Sequence, residues 1–141
     1  MPAARLRVRA VLFDMDNTLL ASRIDYAAMR REVGAWLVRE GYLAQDEAEN
    51  GTTASIIQQA IGRGLAGDAL DRVWAICARH EAEGMRDAEP EPGARDTLER
   101  LRGRGLLLAV LTNNAEAAAE RALTGTGLRQ YFDLVAGRES V

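Results

Sequence analysis

The chain has 141 residues, 48% of them hydrophobic and 28% charged, which is enough to bury one domain-sized core and argues against both a disordered chain and a membrane-spanning one. Its net charge of −3 and pI near 5.3 lack the basic excess that displaces counterions from a nucleic acid, so nucleic acid is not an expected partner. Cys77 is the single cysteine, which excludes an intrachain disulfide, and all 18 basic residues are arginine, so no chemistry within these residues can rest on lysine.

In chain order, the opening Met1-Pro2-Ala3-Ala4-Arg5-Leu6-Arg7-Val8-Arg9 holds no apolar stretch resembling a signal-peptide core. No run approaches the thickness of a bilayer, and a cytoplasmic protein without membrane contact is the expectation. Val8-Arg9-Ala10-Val11-Leu12-Phe13 is a short apolar, β-branched run ending at acidic residues, which predicts a buried strand that delivers Asp14 at its carboxyl end. From about Ala21 to Asp87 only helical periodicity follows. Tyr26, Met29, Val33, Trp36 and Leu37 make one apolar stripe, Ile57, Ala60 and Ile61 a second, and Leu70, Val73, Trp74 and Cys77 a third. Asp68 is placed to cap the third of these helices and Gly84 to stop it, while His80, among Arg79, Glu81 and Glu83, reads as a solvated residue. Glu89-Pro90-Glu91-Pro92-Gly93 reads as a hinge.

A helix with Leu98 and Leu101 on its inner face precedes a second strand, Leu106-Leu107-Leu108-Ala109-Val110-Leu111, which runs into Thr112-Asn113-Asn114. Residues 115–123, rich in alanine and glutamate, predict a helix capped by Asn114 and ended by Gly125 and Gly127. Phe132-Asp133-Leu134-Val135-Ala136 is a third, weaker strand. Strands alternating with helices predict an α/β fold with a Rossmann-like parallel sheet, built from 1–20 and 88–141 and interrupted by a helical insertion at 21–87.

The chemistry sits in Phe13-Asp14-Met15-Asp16-Asn17-Thr18-Leu19. A tight turn after Asp14 can bring both carboxylates to one pocket, where one attacks phosphorus and binds a hard cation while the other protonates the leaving oxygen. Magnesium suits such an all-oxygen site, and the main-chain amides of the turn, at Met15 and Asp16, can cradle phosphate oxygens. In an adjacent parallel strand, Thr112 would lie beside the Asp14 mouth and offer its hydroxyl to a phosphate oxygen, with a helix N-terminus behind it. Arg63, in Gly62-Arg63-Gly64, is a candidate specificity residue for a substrate carboxylate or phosphate.

Phe13-Asp14-Met15-Asp16-Asn17-Thr18-Leu19 resembles the first motif of the haloacid dehalogenase (HAD) superfamily, and Leu108-Ala109-Val110-Leu111-Thr112-Asn113 resembles the second. The helical insertion after the first motif is similar to the cap of the subfamily that includes phosphoglycolate phosphatases and β-phosphoglucomutases. The resemblance implies a magnesium-dependent phosphomonoester hydrolase of a small phosphorylated metabolite. Asp14 would become an aspartyl phosphate, and Asp16 would serve as acid and then as base. The Asp14 side chain and the Asp16 carbonyl would hold magnesium; Thr112 and the Asn113 amide would hold the phosphoryl group. The acid at position 16 disfavours dehalogenation. A phosphomutase, or a noncatalytic phosphate- or partner-binding module, is the alternative.

The superfamily also has a lysine motif and an acidic pair on a fourth strand, and neither can be placed in this sequence. A fragment is therefore expected, with the first strand left open at one edge to pairing with another chain. Arg138 could supply positive charge, but its place just after the third strand does not match the lysine motif, and a surface arginine is the plainer reading.

Overall fold

A computed structural model of the protein describes residues 7–140. Residues 1–6, part of the segment read above for a signal peptide, and Val141 lie outside the described residues. The elements run β1 (Ala10–Phe13), β2 (Leu20–Ala21), α1 (Tyr26–Arg39), α2 (Gln45–Glu49), α3 (Thr53–Gly62), α4 (Gly67–Met85), β3 (Glu89–Pro90), α5 (Ala94–Gly103), β4 (Leu107–Leu111), α6 (Glu116–Gly125) and β5 (Leu134–Ala136). Contacts divide the chain into two compact units, one made of Met1–Arg23 and Met85–Val141, the other of Ile24–Gly84.

The first unit is α/β. Its sheet is ordered β1-β4-β5 with both pairings parallel, and Phe13 stands opposite Val110 while Leu111 stands opposite Ala136. One face, carrying Leu108, Val110 and Val135, is buried, and Phe13 meets Phe132 edge-on with ring centroids 6.0 Å apart. Fully burying a side chain such as Leu108 contributes about 1.5–3 kcal/mol, so this face anchors the unit. The opposite face leaves Leu12, Leu107 and Leu134 exposed, and among the described residues β1 pairs on one side only. Alanines at 118, 119 and 122 with Leu123 give α6 a small, flat buried face that packs close to β5. Asp133 secures the entry to β5: its carboxylate accepts the Leu108 N–H at 2.9 Å and an Arg102 guanidinium N–H at 2.8 Å, and these hold it below the usual carboxylate range.

The hinge predicted at 89–93 contains a short strand instead. Glu89–Pro90 pairs antiparallel with Leu20–Ala21, and the Glu91 N–H donates to the Leu19 carbonyl at 2.8 Å. A two-residue strand has too little periodicity to be read from sequence.

The second unit is all helical. Met29, Val33 and Leu37 of α1, Ile56, Ile57 and Ala60 of α3, and Val73 and Cys77 of α4 are buried, whereas Tyr26 and Ile61 of the predicted stripes are exposed. Trp36 stacks on Tyr42. Two expectations are corrected here. Asp68 lies inside the first turn of α4 and is not its cap, and Gly84 does not stop the helix, which runs to Met85. Gly84 is required by close approach, because a Cβ there would overlap the Ile24 backbone.

Candidate active site

The carboxyl end of β1 turns sharply. The Met15 carbonyl accepts the amides of Thr18, Leu19 and Leu20 at 3.2, 2.9 and 3.1 Å, and the Asn17 N–H closes on the Leu20 carbonyl at 2.8 Å. Asn17 sits at φ 57°, the left-handed region that asparagine tolerates better than most residues. The Met15 side chain is fully buried and anchors the turn, with Asp14 exposed on one side of it and Asp16 half-buried on the other. The Asp14 carboxylate has no hydrogen bond or ion pair among the described residues. The Asp16 carboxylate accepts the Ser22 hydroxyl, a partner that the motif alone does not reveal.

Because β1 and β4 are parallel neighbours with Phe13 opposite Val110, Asp14-Met15 and Leu111-Thr112 leave the sheet side by side. Thr112 is buried. Its N–H donates to the Ala136 carbonyl at 3.0 Å, and its hydroxyl oxygen accepts the Asn114 N–H at 3.2 Å. With that lone pair engaged, the hydroxyl proton can be given to a ligand. The main-chain N–H groups of Met15 and Asn113 donate to nothing among the described residues. Two adjacent strand ends thus present one unengaged carboxylate, one hydroxyl and two open amides, an arrangement suited to an anion beside a nucleophile.

Asn114 does not cap α6 as expected. Ala115 is the N-cap residue and makes no side-chain capping bond, while the Glu116 N–H is taken by Glu139 from 23 residues away, at 2.9 Å. That bond holds the Glu139 carboxyl below its ordinary range. The Asn114 side chain is instead buried, with its Nδ2 unpartnered among the described residues. Arg138 is also not the plain surface arginine that its position in the sequence suggests. It is half-buried, its guanidinium Nη1 donates to the Asn113 carbonyl at 2.8 Å, and its backbone N–H donates to the Asn114 carbonyl at 3.0 Å.

Arg63 and His80 belong to the helical unit. Arg63 is engaged there by Glu47, at 2.7 and 2.5 Å, and by the Tyr42 carbonyl at 3.2 Å. His80 is held at 2.8 Å from Glu32 with its side chain only 11% exposed, so it is not the solvated residue expected. Among the described residues no group of three or more His, Cys, Asp or Glu side chains is gathered for a metal. The Asp14 carboxylate and the Asp16 carbonyl are oxygen donors of the kind magnesium takes. No helix of the described residues is long and apolar enough to cross a membrane.

The model of the haloacid dehalogenase-like hydrolase family matches residues 8–141 of the chain. A phosphoglycolate phosphatase of Nitrosospira multiformis is 31% identical over 149 residues, which cover 96% of this chain and 63% of that protein. The chain therefore spans a little under two thirds of the length of this relative. Among solved structures, a haloacid dehalogenase-like hydrolase of Bacteroides fragilis superposes with a TM-score of 0.60 at 22% identity, covering 96% of this chain and 65% of the other. A HAD phosphatase of Thermococcus onnurineus superposes with a TM-score of 0.55 at 25% identity, covering 95% and 64%.

Proposed function

This chain belongs to the haloacid dehalogenase-like hydrolase family, and on that premise we propose that it carries the nucleophile half of a magnesium-dependent phosphomonoesterase acting on a small phosphorylated metabolite. The observation that carries this reading is the exposed, unengaged Asp14 carboxylate beside the Thr112 hydroxyl and the open amides of Met15 and Asn113.

In the proposed reaction, Thr112 and the amides of Met15 and Asn113 orient the phosphoryl oxygens of the substrate. An Asp14 carboxylate oxygen attacks phosphorus in line, and the P–O bond to the leaving group breaks as Asp16 donates a proton to that oxygen. Asp16, now a carboxylate held by Ser22, takes a proton from water as the water oxygen attacks phosphorus; the Asp14–phosphorus bond breaks, and inorganic phosphate is released. Magnesium, held by the Asp14 side chain and the Asp16 carbonyl, would offset the repulsion between the dianion and the carboxylate. The helical unit Ile24–Gly84 stands in the chain where the family resemblance puts a cap, and the pairing of Arg63 with Glu47 weighs against Arg63 as the substrate contact.

The relative named above makes phosphoglycolate the first substrate to assay. The test is magnesium-dependent release of phosphate from phosphoglycolate and from an aryl phosphate, by the wild type and by Asp14→Asn. Turnover that disappears with Asp14→Asn or on chelation supports the reading; turnover that survives both contradicts it. One observation favours a second reading: no three-ligand metal cluster forms among the described residues. A chain that binds phosphate with magnesium but never releases product would be the phosphate-binding module instead.

A further inference from the structure

The turn 137–140, which the catalytic reading does not use, is fastened to the phosphate loop at several points. Arg138 donates through its backbone to Asn114 and through its guanidinium to Asn113. Glu139 accepts the Glu116 N–H, and the Ser140 hydroxyl donates to the Glu116 carboxylate at 2.6 Å. Gly137 lies so close to Glu116 that a Cβ would stand 2.5 Å from its Cα.

The peptide between Asn113 and Asn114 is the point of interest. Its carbonyl is held by the Arg138 guanidinium and its N–H by the Thr112 hydroxyl oxygen. A peptide unit is planar, so fixing one end fixes the other. The guanidinium therefore sets the direction of the Asn114 N–H, and that N–H occupies a lone pair of Thr112 and leaves its proton to point elsewhere. The bond is charge-assisted, which makes it stronger than a neutral one. It also brings a permanent positive charge to the phosphate loop of a chain without lysine.

We propose that Arg138 is a positioning residue for the phosphate cradle, acting through the Asn113–Asn114 peptide to orient the Thr112 hydroxyl toward the anion. The proposal rests on the phosphate-binding reading above. Two measurements on the full chain separate the two claims. The first is hydrogen exchange of the Asn114 amide in the ligand-free protein, followed by NMR in the wild type, Arg138→Gln and Arg138→Lys. The second is calorimetric titration of inorganic phosphate in the presence of magnesium into the same proteins and into Thr112→Val with and without Arg138→Gln.

Loss of a charge-assisted hydrogen bond should accelerate Asn114 exchange and weaken phosphate binding by about tenfold each in Arg138→Gln, with most of both recovered in Arg138→Lys. In the Thr112→Val background, Arg138→Gln should change phosphate affinity by less than about twofold, because the hydroxyl it orients is gone. Unchanged Asn114 exchange in Arg138→Gln, or an equal loss of phosphate affinity with and without the Thr112 hydroxyl, overturns the proposal while the phosphate reading stands. A wild type that binds no phosphate although Asn114 exchange responds to Arg138→Gln overturns the phosphate reading, and the positioning role falls with it.

Discussion

Two carboxylates of the helical unit stand in surroundings opposite to those of Asp14 in the α/β unit, where Asp133 and Glu120 are also held by arginine. In the helical unit Glu47 is clasped by Arg63 and by the Ala44 amide, and Glu32 by Arg79 and His80. The side-chain bond from Arg63 is the main reason that the Glu47 carboxyl falls to about 2. At the mouth of β1, Asp14 has no such partner among the described residues, although its strand end neighbours the one that carries Thr112. The contrast teaches that charge alone does not mark a site. Acids of both units are paired with arginine, and Asp14, the proposed nucleophile, is not.

The largest effect expected from this contrast falls on Asp14. Asp14→Asn should reduce magnesium-dependent phosphate release by at least about a thousandfold, the loss typical of a removed nucleophile. Asp16→Asn should cost about a hundredfold or more in kcat while phosphate still binds, since a proton donor is lost and the cradle is kept. Steady-state kinetics with calorimetry distinguishes the two.

Gly84→Ala sharpens the comparison from the other unit. The added methyl overlaps the Ile24 backbone, and the helical unit should lose about 2 kcal/mol or more in urea unfolding. Phosphate affinity should stay at the wild-type value; a parallel loss of affinity would break the separation of roles.

Thr112→Val should raise KM or the phosphate dissociation constant by about tenfold, the worth of one hydrogen bond to an anion. The smallest effect is on acid stability. The folded-state value of Glu47 lies below its ordinary 4.5, so its contribution is complete above that pH and fades as pH falls through 4.5 toward about 2. Melting of the wild type and Glu47→Gln across that window should show the wild-type advantage shrinking, with magnesium-dependent phosphate binding at neutral pH alike in both.

Much of this arrangement is legible in the sequence. The apolar runs of β1 and β4 end at Asp14 and Thr112, so the pairing of strand and motif marks the two residues on which the proposal rests. The parallel register that sets them side by side follows from the alternation of helix and strand. What sequence conceals is long-range. Arg138 and Asn113 are 25 residues apart and Glu139 and Glu116 are 23 apart, with no periodicity linking them, so the bond that holds the Asn113 carbonyl and the capping of α6 emerge only from the fold. Asn114 has the residue type of a cap, yet Asn114 is buried and the helix begins after Ala115. Gly84 reads as a helix stop because glycine usually is one, whereas here its missing side chain makes room for Ile24.

The most direct test of the account is fluorine NMR of the protein with magnesium and beryllofluoride, which bonds to a carboxylate oxygen in the geometry of a phosphoryl group. The account predicts a bound fluorine signal in the wild type and in Glu47→Gln, and none in Asp14→Asn. A signal that persists in Asp14→Asn, or that never forms in the wild type, would contradict the assignment of Asp14 as the nucleophile.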